Sequence, residues 1–122
     1  MIVQDIINQL EELAPLAYAE EFDNVGLLVG DNNAKVTGVL ITLDTLPEVV
    51  EEAIAEDCNL IISFHPIIFK GLKSITGNSY VERVVQKAIK NDIAIFAIHT
   101  ALDNAYDGVN AELCNRLELK NK

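Results

Sequence analysis

Three apolar runs, VTGVLITLD (36–44), NLIISF (59–64) and IAIFAI (93–98), constrain the fold more than any other feature of this sequence. The second and third are almost unbroken in apolar character and too short for helices, which is the pattern of strands covered on both faces in a parallel sheet. Between the first two, Thr45 with Glu48 three positions on reads as a helix cap, and Val49, Val50, Ala53 and Ile54 form one apolar stripe. Between the second and third, Ser79 and Glu82 repeat the pattern, with Val81, Val84, Val85 and Ala88 on one side. A first helix over 3–14 places Ile6, Ile7, Leu10 and Leu13 together and stops at Pro15; GLLVG (26–30) reads as a shorter strand, and a last helix spans 108–119. Strands alternating with helices predict an α/β fold, a mainly parallel sheet with helices on both faces, as one domain over 1–122.

Charge narrows the partners. Nine basic against 19 acidic side chains give a net charge of −10, which repels phosphate backbones and anionic lipid surfaces. Lys70 and Lys73 are the nearest approach to a basic cluster, so nucleic-acid and membrane partners are not expected. No apolar run approaches the roughly 20 residues that cross a bilayer, and the start MIVQDIINQL lacks signal-peptide character, so a cytoplasmic location is expected. Cys58 and Cys114 form no CxxC or metal spacing and are read as reduced packing residues. Gly26, Gly30 and Gly71 make neither GxGxxG nor a Walker loop and are read as backbone bends.

In open parallel sheets, ligands gather outside the carboxyl ends of the strands. Asp44 ends the first long strand, His65 follows the second at once and His99 follows the third at once; these are the chain's two histidines. If the strands are adjacent, their ends are spaced by ~5 Å and the imidazoles converge. Asp103 lies four residues beyond His99, in a loop ALDNAYDG. Imidazole with carboxylate suits zinc, iron, manganese, nickel or cobalt, and an open coordination position makes bound water a nucleophile. The blander readings stand beside this one: a strand-end histidine can simply hydrogen-bond, Asp44 can start the turn before Thr45, and Asp23-Asn24 can fix the bend before Gly26.

The segments EEFDNVGLLVGD (20–31), LIISFHPIIFKGLKSITG (60–77), YVERVVQKAIKNDIAIFAIHTALDN (80–104) and GVN (108–110), in this order, resemble the Nif-three-like family, whose members are often labelled GTP cyclohydrolase I type 2 homologues. The resemblance implies a two-lobed protein of similar α/β lobes, a toroidal homo-hexamer and a dinuclear metal site facing its cavity. It implies His65 and Asp103 as metal ligands, from a His-His pair before Pro and from the Asp of an HTxLD segment. Phe64 departs from that pair, and Phe22 stands where the family usually has Trp. The family's other ligands, a His and a Glu near the end of the second lobe, have no counterpart, so this chain is expected to be the amino-terminal lobe alone, truncated and inactive without its partner lobe.

The resemblance implies a divalent-metal-dependent hydrolase acting on a small molecule, with a nucleotide such as GTP as the candidate; His99, beside these ligands, is read as the catalytic proton carrier or as the residue orienting Asp103 or a water, with a plain strand-end hydrogen bond as the alternative. No guanine pocket is legible in the sequence. The competing reading is a non-enzymatic metal-binding ring scaffold or protein-interaction module, which the loss of a histidine at Phe64 favours.

Overall fold

The computed structural model describes residues 1–118. In chain order it contains α1 (Val3–Leu13), a 3-10 turn (Leu16–Tyr18), β1 (Gly26–Val29), β2 (Val39–Thr42), α2 (Pro47–Ala55), β3 (Leu60–Ser63), α3 (Tyr80–Lys90), β4 (Ala94–Ala97), α4 (His99–Asp103) and α5 (Val109–Arg116). The predicted run of the last helix to position 119 passes outside the described residues.

Local sequence explains most helix boundaries. The Asp5 carboxylate turns back to accept the Ile2 amide at 2.8 Å, placing negative charge where the amino end of α1 favours it. The helix ends at Leu13, two residues before Pro15, which has no amide to continue it. At α3 the Ser79 hydroxyl accepts the Glu82 amide at 3.2 Å, as the capping pattern predicts. Glu82 reaches further than expected: its carboxylate accepts the Thr76 amide at 2.9 Å and the Thr76 hydroxyl at 3.2 Å, clipping the preceding loop to the helix. The Thr76 amide is the main reason that the Glu82 carboxyl lies below its ordinary pKa.

The Thr45 cap is a misreading that the structure corrects. Helix α2 begins one residue later, with Leu46 as its boundary residue and Pro47 in its first turn. Proline fixes the helical φ and needs no partner for an amide it lacks, so it sets the start. Thr45 is only 2% exposed, and its hydroxyl has no hydrogen-bond partner among the described residues.

The sheet runs in the order β1-β4-β3-β2. Strands β2, β3 and β4 are parallel, with Val39, Leu60 and Ala94 in one register row and Thr42, Ser63 and Ala97 in another. Strand β1 pairs antiparallel with β4, giving the mainly parallel sheet one reversed edge. Because the chain steps in one direction from β2 to β3 to β4, α2 and α3 lie on the same face, where Val50, Ala53, Val84 and Val85 pack on Ile61 and Ile95. The opposite face is covered around α1 and α4, where Val3, Ile7 and Ala101 pack on Leu60 and Phe96. Burying each large apolar side chain of this kind contributes about 1.5–3 kcal/mol.

Gly30 follows β1 at φ +109°, and a Cβ there would meet the Cβ of Ala94 at 2.6 Å, so only glycine lets the chain pass this close to β4. Cover fails at the β2 edge, where Ile41 is 80% exposed beside the exposed Val39 and Leu43. Cys58 and Cys114 are free thiols, both half-buried. No helix among the described residues is long and apolar enough to cross a membrane.

Candidate functional site

The in-register row Thr42, Ser63, Ala97 places the next residues of three adjacent strands side by side. Pairing continues past the strand ends: the Phe64 amide donates to the Thr42 carbonyl at 3.0 Å, that of His65 to Leu43 at 3.0 Å, and that of His99 to Phe64 at 2.9 Å. Asp44, His65 and His99 each stand two residues beyond that row. Strand-end hydroxyls brace the turns. Ser63, fully buried, donates to the His65 carbonyl at 2.6 Å, and Thr42 donates to the Asp44 carbonyl at 2.9 Å.

The two imidazoles therefore meet, with ring centroids 5.2 Å apart. Phe64 sets its ring edgewise against both, at 5.0 Å from His65 and 5.2 Å from His99. His65 Nδ1 lies 2.7 Å from Asp44 Oδ1 in a half-exposed pair. An ionised carboxylate only accepts, so the ring nitrogen facing it carries the proton and the neutral ring leaves Nε2 with its lone pair. That is the arrangement of a metal-binding histidine held by an outer carboxylate. The sequence leaves Asp44 open between turn and site; in the structure its carboxylate pairs with the His65 ring.

His99 has a carboxylate of its own. Its Nδ1 is 3.1 Å from Asp23, whose side chain is fully buried. Asp23 Oδ2 also accepts the Thr100 hydroxyl at 2.6 Å and the Thr100 amide at 3.1 Å, and Oδ1 accepts the Asn24 amide at 2.9 Å. Burial by itself would push this carboxyl up; the hydrogen bonds, led by the Thr100 hydroxyl and the His99 ring, outweigh it and hold the pKa below the ordinary value. Asn24 ties the same segment to the loop after His65 by donating to the Ile68 carbonyl at 2.5 Å. The Asp23-Asn24 pair does fix a bend, and it also reaches the histidine rim. No spacing in the sequence points to Asp23, because 76 positions separate it from His99.

Asp103 is not in an irregular loop, as the sequence suggested, but is the last residue of α4. It follows His99 by one helical turn and so shares its face of the helix. Its main-chain carbonyl accepts Asn110 at 3.1 Å, fixing the start of α5. Between them, Gly108 leaves room for the Leu102 carbonyl, which a Cβ would approach to 2.0 Å. Among the described residues, no group of three or more His, Cys, Asp and Glu side chains is arranged to hold a metal ion. The structure thus brings His65 and His99 together, puts Asp103 on the helix that His99 begins, and does not assemble a closed ligand set.

Comparison with known proteins gives the same frame. The chain is 42% identical over 115 residues to a GTP cyclohydrolase 1 type 2 homolog of Clostridium acetobutylicum, covering 94% of this chain and 43% of that protein. It is 46% identical over 121 residues to the protein of that name from Staphylococcus aureus strain Mu50, covering 99% of this chain and 33% of that one. It spans less than half the length of these curated relatives. Among solved structures, the Staphylococcus aureus hypothetical protein SA1388 superposes with a TM-score of 0.92 at 46% identity over 99% of this chain and 34% of its own. Reduced HcgD from Methanocaldococcus jannaschii gives 0.91 at 32% identity, over 99% of this chain and 48% of its own. The model of one family matches residues 1–122 throughout, and with the fold shared at this level the chain belongs to the Duf34/NIF3 (NGG1p interacting factor 3) family.

Proposed function

We propose that this chain is the part of a divalent-metal-dependent hydrolase that supplies His65 and Asp103 as metal ligands and His99 as proton carrier. The observation that carries the reading is the Asp44–His65 pair, which leaves His65 Nε2 as a directed donor atom at the strand-end rim. The donor chemistry fits a borderline metal such as zinc, iron, manganese, nickel or cobalt, since imidazole and carboxylate are the ligands those ions take. When bound, such an ion supplies Lewis acidity and lowers the pKa of water.

The chain's own residues do the rest. Asp44 orients the His65 ring, Phe64 packs its ring edgewise against both imidazoles, and His99 takes or returns a proton at Nε2. Two ligands hold a metal weakly, whereas catalytic sites use three or more, so the chain alone is expected to be inactive. The missing ligands are assigned to a second lobe, within the length that the relatives have beyond the match, and to assembly as a homo-oligomer, a hexameric ring on the family pattern. The substrate is proposed to be a small molecule of the nucleotide class, on the strength of the relatives' printed name.

A second reading, a non-enzymatic metal-binding ring scaffold or protein-interaction module, is favoured by Phe64, an apolar ring wedged where a second ligand would have to stand. Calorimetric titration of the 122-residue chain with manganese or zinc tests the metal assignment. His65→Ala and Asp103→Ala should each weaken binding by about tenfold or more. Wild-type affinity in both variants would reject the assignment.

A further inference from the structure

Asp23 has no exposed side-chain surface, and the bend it fixes with Asn24 does not account for its contact with the ring of His99. Four donors converge on it from three places: the ring of His99, the amide and hydroxyl of Thr100, and the amide of Asn24. Its orientation is fixed one step further out. The Glu20 amide donates to Thr100 Oγ1 at 2.9 Å, which turns the hydroxyl proton away from Glu20 and toward Asp23 Oδ2. Thr100 in turn follows His99 directly, at the start of α4. The carboxylate is thus held by donors on both oxygens and presents an acceptor to His99.

We infer that Asp23, held by Thr100, is a positioning residue that locks His99 in the Nδ1–H tautomer and aims its Nε2 lone pair into the rim beside His65. An acceptor-only carboxylate at 3.1 Å from Nδ1 requires the proton on that nitrogen. Phe64 packs edgewise against the same ring, with its centroid 5.2 Å away, and adds an apolar contact to the polar one. A carboxylate on Nδ1 is the usual way to keep an imidazole ready to accept a proton at Nε2. The inference rests on the reading of His99 as proton carrier for what Nε2 does, but the tautomer is measurable without any reaction.

The sequence explains why the restraint has to be long-range. His99 opens a helix of only five residues, with no side-chain cap of its own, and stands two residues past a buried strand. Nothing nearby in the chain fixes its ring, and the bend EFDN (21–24) is brought alongside by β1, which pairs antiparallel with β4. The reversed edge strand is thus what delivers Asp23 to the rim.

The test is the long-range proton–nitrogen correlation spectrum of the uniformly 15N-labelled 122-residue chain without metal, at pH about 8, above the ordinary imidazole range. His99 should show a protonated Nδ1 and an unprotonated Nε2, the reverse of the preference of an unrestrained imidazole. In Asp23→Asn, the two Thr100 donors should retain the amide oxygen at the Oδ2 position, so that the amide NH2 takes the Oδ1 position, gives up the bond from the Asn24 amide and turns toward His99, moving the proton to Nε2. The backbone amide spectrum checks that the variant is folded. A wild-type Nε2–H tautomer overturns the inference, and this single spectrum decides it even if the variant does not fold. An unchanged tautomer in folded Asp23→Asn also overturns it. A locked tautomer in a chain with no metal affinity would remove the metal assignment and leave the positioning role standing; metal affinity with a free tautomer would do the opposite.

Discussion

His65 and His99 stand at the same height on neighbouring parallel strands, two residues past the Ser63–Ala97 pair, and their rings lie 5.2 Å apart with a carboxylate behind each. The two pairs differ in burial. Asp44 is half exposed, whereas Asp23 has no exposed side-chain surface. Solvent reaches the His65 pair, and the His99 pair is part of the packed structure. Their responses to mutation should differ accordingly.

Asp44→Ala should leave the fold intact and weaken metal binding by about 10–100-fold, because it removes the carboxylate that orients the His65 ring. Thermal unfolding without metal should match wild type closely, since an exposed pair contributes at most about 1 kcal/mol. Titration calorimetry beside a melting curve separates the two effects.

Asp23→Ala should destabilise the chain by about 2–4 kcal/mol at neutral pH, because it strands the Thr100 hydroxyl and amide without an acceptor. The sign of the pH dependence follows from the lowered pKa of Asp23. A carboxyl whose folded pKa is depressed contributes stability above its unfolded value, near the ordinary 3.8, and loses it as pH falls through the folded pKa. The wild-type advantage over the variant should therefore be full at neutral pH and shrink in acid below about pH 4. Denaturant unfolding across that range checks it.

Gly108→Ala should unfold or strongly destabilise the α4–α5 corner, since the added Cβ would fall 2.0 Å from the Leu102 carbonyl oxygen and backbone must move. Gly71, where nothing lies within 4 Å, offers a control in which only the positive φ resists substitution. Hydrogen exchange should show the corner around Asp103 opening in the first variant and not in the second.

The exposed apolar strip on β2 should make the chain self-associate or bind hydrophobic dye despite its net charge of −10. Ile41→Lys places a charge on that edge and should lower both, as read by sedimentation and dye fluorescence. A wild-type chain that sediments as a clean monomer without dye binding would contradict the prediction.

The parallel core is legible because NLIISF and IAIFAI admit few other readings, and their carboxyl ends place His65 and His99 at equivalent positions. Asp44 was half legible: it occupies the same offset past its strand as the histidines do, but a turn explains it equally well. Asp23 was illegible, since its role depends on β1 folding back antiparallel to β4, and periodicity does not reveal strand order. The Thr45 cap failed because capping chemistry and proline geometry competed at adjacent positions and proline set the boundary. Helix α4 was missed for its length, five residues being too few for a periodic signal.

If His65 is a metal ligand, paramagnetic mapping with manganese detects it even where binding is weak. Substoichiometric manganese added to the 15N-labelled chain should broaden the resonances of His65, His99 and Asp103 first, and His65→Ala should abolish that selectivity. Broadening spread over the acidic surface with no maximum at this rim, or a rim maximum unchanged in His65→Ala, would contradict the account.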